Sequence, residues 1–253
     1  MAGTINFLGT GAAIEGDFQD ANVNVNLDPA LTLDGSADYL TATTADFRTD
    51  DAAGALTAWF KTSSSSTQMI FSAADTATQD SYQFFYIEEY LYCAHRDIGT
   101  TQYSVRTNTQ WNDGSWHHVA FESNGSLIKI YVDGVNQTLV TNSGTNNGDW
   151  FGDMVDSKLD NITIGVSTRT STQYYFNGSL ADVRYYSAAL ATTDPAILAS
   201  KIQIDDSLTS IQAVHWWKLN DGEITGGTNY EDYGSATDIP LVATRIVAAN
   251  IDY

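Results

Sequence analysis

The sequence predicts an all-β fold, an antiparallel sandwich of two sheets, and three observations carry that prediction. Short segments of alternating polar and apolar residues recur along most of the chain. Five dipeptides that tolerate positive φ separate them as tight turns: Asp34-Gly35, Asp113-Gly114, Asn124-Gly125, Asp133-Gly134 and Asn177-Gly178. Only one stretch reads as a helix.

Taken in order, residues 1–26 are rich in Gly, Ala, Asn and Asp and alternate weakly, which reads as an extended N-terminal arm. The strand candidates that follow are 31–33, 39–41, 56–61, 67–73, 82–87, 91–96, 102–106, 117–122, 127–132, 161–166 and 178–186. The helix takes Asp194 as N-cap and Pro195 at its first position. Its apolar Ile197, Leu198 and Ile202 are expected to cover one end of the sandwich. An aromatic strand, Ala213-Val214-His215-Trp216-Trp217-Lys218-Leu219, then runs into the turn Asn220-Asp221-Gly222. A closing strand over 239–248 is interrupted early by Pro240. No internal repeat or linker divides the chain, so 27–253 reads as a single domain.

Composition bounds the function. With 253 residues and 43% hydrophobic content, the chain can bury one large core. Its net charge of −20 arises from 31 acidic and 11 basic side chains spread along its length. A field of that sign repels phosphate backbones, which excludes nucleic acid as a partner, and it suits a saline environment. No apolar run approaches the roughly 20 residues needed to cross a bilayer, so membrane insertion is not expected. Cys93 is the only cysteine, which rules out an intrachain disulfide. The first residues lack the basic flank and apolar block of a secretory signal, so the protein is expected to be used without export. Four sequons, at Asn124, Asn136, Asn161 and Asn177, fall in polar, turn-like contexts.

Four motifs, in order, resemble the laminin G-like, concanavalin A-like jelly rolls. They are Leu33-Asp34-Gly35-Ser36-Ala37-Asp38-Tyr39-Leu40, Leu56-Thr57-Ala58-Trp59-Phe60-Lys61, the hairpin from Trp116 to Gly134, and Phe176-Asn177-Gly178-Ser179-Leu180-Ala181-Asp182-Val183-Arg184-Tyr185-Tyr186. The resemblance spans about residues 31 to 203. In many relatives a strand like Trp217-Lys218-Leu219-Asn220-Asp221-Gly222 comes first; here it comes last. First and last strands of a jelly roll lie side by side, so residues 212–253 are expected to complete the same sandwich.

The fold class hosts enzymes and binding proteins alike, so chemistry is weighed residue by residue. Glycoside hydrolysis needs two carboxylates on a rigid strand. The nearest spacing, Glu15-Gly16-Asp17-Phe18-Gln19-Asp20, lies in the arm, so no catalytic residue is expected. Adjacent His117 and His118 point to opposite faces of a strand and are read as structural. Cys93 has no aligned base in its run and is not read as a nucleophile. The resemblance implies a candidate structural calcium near Asp34, Asp182 and Asp221. Exposed aromatics are candidate glycan or partner contacts: Trp150, Tyr174 and Tyr175 in loops. The run from Tyr82 to Tyr92 supplies aromatics on both faces of a hairpin. One face belongs to the core, and the other is a sugar surface or a subunit interface.

These features, with fold-level analogy, lead to a first expectation: a non-enzymatic virion structural protein of a tailed bacteriophage. It would be located in the virion as a capsid decoration or a tail or fibre accessory, docked on capsid or tail subunits and on copies of itself. The alternative is a lectin-like carbohydrate-binding module whose partners are glycans.

Overall fold

Alternation along each strand sends one set of side chains inward and the other outward, and two sheets stacked on their inward sets bury a common core. The computed structural model describes residues 30–45, 47, 49–155, 158–202, 204–219, 229–246 and 251–252. The expected N-terminal arm, with Glu15, Asp17 and Asp20, lies outside the described residues, as does Asp221.

The first sheet has the order β10 (Val135–Asn136), β9 (Ile128–Val132), β8 (His117–Ser123), β3 (Gly54–Lys61), β15 (Asn177–Tyr186), β1 (Ala30–Asp34) and β19 (Ile251–Asp252). An eighth strand, β16 (His215–Trp217), also pairs with β15. The second sheet runs β11 (Leu139–Gly144), β7 (Thr100–Thr107), β6 (Leu91–Asp97), β5 (Tyr82–Ile87), β4 (Gln68–Ala74), β12 (Asn161–Ile164), β2 (Tyr39–Thr43), β18 (Leu241–Thr244) and β17 (Asn229–Tyr230). The ladders of both sheets are antiparallel. A two-stranded hairpin, β13 (Ser167–Thr168) with β14 (Thr172–Gln173), stands apart from them.

Between the sheets, Leu56, Phe60, Phe121 and Val183 of the first meet Phe71, Phe85, Cys93 and Tyr103 of the second. Each large apolar side chain so buried contributes about 1.5–3 kcal/mol. The same cluster takes in Trp217 and Leu241, so β16 and β18 pack into this core.

One edge of β15 is shared by two strands placed end to end. Residues 177–180 pair with β1, and 183–185 pair with β16. At the junction Asp182 has φ +53, and the register with β3 shifts between Ala181 and Arg184. The Asp182 carboxylate accepts from Arg184 Nε (2.8 Å) and from Trp216 Nε1 (2.6 Å). The N–H of Asp182 donates to the Lys218 carbonyl.

Some local expectations need correction. The N-cap of helix α1 (Asp194–Leu198) is Thr193, and Asp194 is the first helical residue. Its carboxylate instead accepts from the N–H groups of Ala191 and Ser210, tying the helix to the chain beyond it. The helix does not close one end of the sandwich. Leu198, with Leu190 and Ala213, lies on the outer face of the first sheet against Ala55, Ala120, Tyr131 and Tyr186. Asn177-Gly178 is no tight turn but the start of β15. A Cβ on Gly178 would stand 2.1 Å from the Lys61 carbonyl oxygen, so the close strand approach requires glycine. Asn161 is a buried strand residue rather than a turn residue.

Candidate functional site

The site follows from register. Ser72 pairs with Phe84, Phe84 with Ala94, Ala94 with Ser104, and Ser104 with Ser143. These residues form one row across five strands on the outer face of the second sheet, short except for Phe84. On one side lies the row Tyr86, Tyr92 and Arg106; on the other lie Tyr82, Arg96 and Thr101. Long side chains flanking short ones leave a depression of about 310 Å³. Of these residues Tyr82, Phe84, Tyr86, Ala94, Thr101, Ser104 and Ser143 line it, together with Thr67, Met69, Glu88, Arg169 and Tyr174.

The rings are ordered by their neighbours. Tyr86 stacks on Tyr92 with centroids 4.6 Å apart and planes at 6°, and Tyr82 stacks on Phe84 at 3.9 Å and 15°. The β13–β14 hairpin carries Arg169 at its turn. Its guanidinium carbon stands 5.4 Å from the centroids of both Tyr82 and Phe84. Just beyond the hairpin, Tyr174 adopts φ +62, uncommon for a residue of its bulk, and its carbonyl accepts from Met69 N–H at 3.0 Å. That backbone sends 37% of Tyr174 into solvent.

Glu88 accepts from the Thr67 hydroxyl at 2.7 Å. Burial, and then the Glu88 charge, raise the pKa of Tyr86 and Tyr92 above the usual phenol range. Both phenols therefore keep their protons at neutral pH and can donate as well as accept. The depression thus combines ring faces, hydroxyls, one carboxylate and one guanidinium. Among the described lining residues Glu88 is the single carboxylate, whereas glycoside hydrolysis uses two.

Of the candidate contacts read from sequence, Tyr174 lines the depression. Tyr175 turns aside and packs edge-on against Tyr39, with centroids 6.2 Å apart. Trp150 requires a correction, because it is a core residue with 0% exposure. Its ring lies 5.3 Å from Phe85 and 5.4 Å from Phe151, and its Nε1 donates to the Tyr185 hydroxyl. A Trp in a polar loop reads as exposed; here the loop folds back and inserts the ring between the sheets. The run from Tyr82 to Tyr92 divides as alternation requires, with Phe85, Ile87 and Leu91 in the core and Tyr82, Phe84, Tyr86 and Tyr92 outward. Sequence reasoning missed Arg169. It lies more than 80 residues from Tyr82 and Phe84, the rings it covers, and no periodicity links them.

Two of the carboxylates expected near calcium, Asp34 and Asp182, are engaged within the protein. Asp34 accepts from the Ser36 hydroxyl and from the N–H groups of Ser36 and Ala37. The Ser36 hydroxyl foremost, then the Ala37 N–H, holds its pKa well below the usual carboxylate range. Asp182 serves Arg184 and Trp216. Among the described residues, no group of three or more His, Cys, Asp or Glu side chains is placed to hold a metal ion.

The two adjacent histidines diverge. His117 bonds Asp133 (2.8 Å) and Asp113 (3.2 Å); burial pulls its pKa down, but those carboxylates outweigh it and hold it above the ordinary value. His118 is buried beside Trp59, and burial followed by Arg184 lowers its pKa to about 3. Cys93 bonds with Tyr103 and Gln83 inside the core, and burial pushes its thiol up to about 12.

Solved structures share this architecture. The CBM40 module of a Ruminococcus gnavus IT-sialidase matches with TM-score 0.55 at 16% identity, covering 69% of this chain and 97% of its own. The same module has been solved with α2,3-sialyllactose bound. A Bacteroides ovatus protein with carbohydrate binding as its suggested role matches with TM-score 0.61 at 16% identity, covering 86% of this chain and 58% of its own. Domain 4 of a GH43 extracellular arabinanase from Geobacillus stearothermophilus, in complex with arabinotriose, matches with TM-score 0.50 at 17% identity, covering 68% and 76%. At these identities the likeness is one of fold. No curated protein matches the chain. The model of the Laminin_G_3 family, concanavalin A-like lectin/glucanases, matches residues 34–194, well over half of the sequence, and the chain belongs to that family.

Proposed function

We propose that this protein is a non-catalytic carbohydrate-binding module whose glycan sits in the depression on the outer face of the second sheet. One observation carries the reading: two stacked ring pairs, Tyr82–Phe84 and Tyr86–Tyr92, stand beside a trough of short side chains. Sugar C–H faces pack on such rings, while Glu88, Ser104 and the tyrosine hydroxyls meet sugar hydroxyls. The absence of a second carboxylate among the described lining residues supports binding without hydrolysis.

Relatives with glycans in their descriptions support this reading over the virion-subunit expectation, which no relative described above favours. Screening the full chain on a glycan array tests it. Saturable binding that weakens by about tenfold in Tyr86→Ala, the effect of about 1.4 kcal/mol of lost contact, is expected. Should no glycan bind, the reading fails. If Tyr86→Ala instead changes the oligomeric state, the outer face is an interface between subunits.

A further inference from the structure

We infer that the depression takes an acidic, carboxylate-bearing sugar, with Arg169 as the partner of its carboxylate. This rests on the glycan-binding reading of the same site and narrows its ligand class. The chain has 31 acidic residues against 11 basic ones, so an arginine here has acids in excess to pair with. Arg184 does so, bonding Asp182 and Asp206. Three other arginines, Arg96, Arg106 and Arg169, gather on the outer face of the second sheet. None of these three forms an ion pair among the described residues.

Arg106 lies over the Tyr90 ring at 4.0 Å and donates to the Thr107 carbonyl. Arg96 bonds the Thr101 hydroxyl. Arg169 has its guanidinium over Tyr82 and Phe84, and its Nε is buried with no hydrogen-bond partner. The Nε of Arg96 is likewise buried without a partner.

A buried donor left unmade is costly, and a planar guanidinium with open donors matches a carboxylate in two-point geometry. The ring contacts hold Arg169 at the wall of the depression, so its donors are positioned before a ligand arrives. Glu88 is already accepting from Thr67, and the Asp80 carboxylate lies beside Gly99 and Arg96. A ligand carboxylate would therefore sit at the Arg169 end, away from Glu88. Glu88 in turn would accept from the hydroxyls of the same sugar.

Titration calorimetry with the full chain tests this, using lactose, 3′-sialyllactose and tetragalacturonate as probes. At least one acidic probe should bind about tenfold more tightly than lactose, the size of one charge-assisted pair. That preference should shrink as salt rises. In Arg169→Gln the preference should disappear, and in Arg169→Lys it should be retained in part. Lys201→Gln removes an equal charge beyond helix α1 and should keep the full preference. If lactose binds as tightly as the acidic probes, the inference is overturned while the glycan-binding reading stands. A preference that survives in Arg169→Gln, or that Lys201→Gln abolishes equally, removes Arg169 from the role. Binding of none of the three probes, with binding to neutral glycans elsewhere on an array, also overturns the inference; no glycan binding at all overturns both.

Discussion

The outer faces of the two sheets carry similar aromatic and cationic residues, yet the fold treats them in opposite ways. On the first sheet, Tyr131 and Tyr186 are covered by the chain that follows β15, through Leu190, Leu198 and Ala213. Arg184 there is 0% exposed and pins that cover, donating to Asp182, Asp206 and the Ile204 carbonyl beneath the Trp216 ring. On the second sheet, Tyr82 and Tyr86 are half-buried, and the hairpin bearing Arg169 borders a depression rather than closing it. The same residue types therefore serve as cement on one face and as a presented surface on the other. What separates them is whether the chain supplies its own carboxylates and apolar cover.

The comparison can be broken at the covered face first. Asp182→Ala leaves Arg184 a buried cation short of its main partner, and stability should fall by about 3–5 kcal/mol, read from the urea midpoint. An unchanged midpoint would mean that the junction at β15 does not hold the cover down. Leu198→Ala should cost about 2–3 kcal/mol, at the low end for a buried leucine because its helix is a single short turn.

Acid should act on the covered face through His118. Its folded pKa of about 3 lies below the ordinary 6.5, so between those values the unfolded chain binds a proton that the folded one does not. Stability should therefore drop as pH falls from about 6.5 toward 3, by up to roughly 1.4 kcal/mol per pH unit at its steepest. His118→Asn should flatten that slope. His117 works in the opposite sense. Its raised folded pKa gives stability that is present below 6.5 and fades as pH rises through the folded value. The His117→Asn variant should lose that fading.

At the open face the expected stability changes are smallest. Tyr82→Ser should cost no more than about 1 kcal/mol because the residue is half-exposed, while weakening glycan binding. A larger loss would make this face structural like the other one. Cys93 sharpens the contrast between interior and surface. With its thiol buried, it should resist a thiol reagent until the protein unfolds.

Much of this architecture was legible in the residues themselves. The strand expected at 82–87 is β5 to the residue, and the hairpin from Trp116 to Gly134 contains β8 and β9 with both turn glycines at positive φ. Short strands such as β10, β13 and β14 escaped notice because two residues carry no periodicity. The aromatic run from Tyr82 to Tyr92 announced two faces, and alternation decides which ring goes where. Trp150 misled because local polarity says nothing about where a loop folds back.

By itself, the sequence determined the sandwich, most of its tight turns and the outward set of its longer strands, because these depend on residue size, alternation and backbone freedom over a few neighbours. Only the tertiary structure decided which outer face is covered and which is presented. It alone brought Arg169 over Tyr82 and Phe84, placed Trp150 in the core and joined β1 and β16 along one edge of β15. Those outcomes depend on pairings between residues far apart in the chain, where packing geometry rather than local preference selects the neighbour.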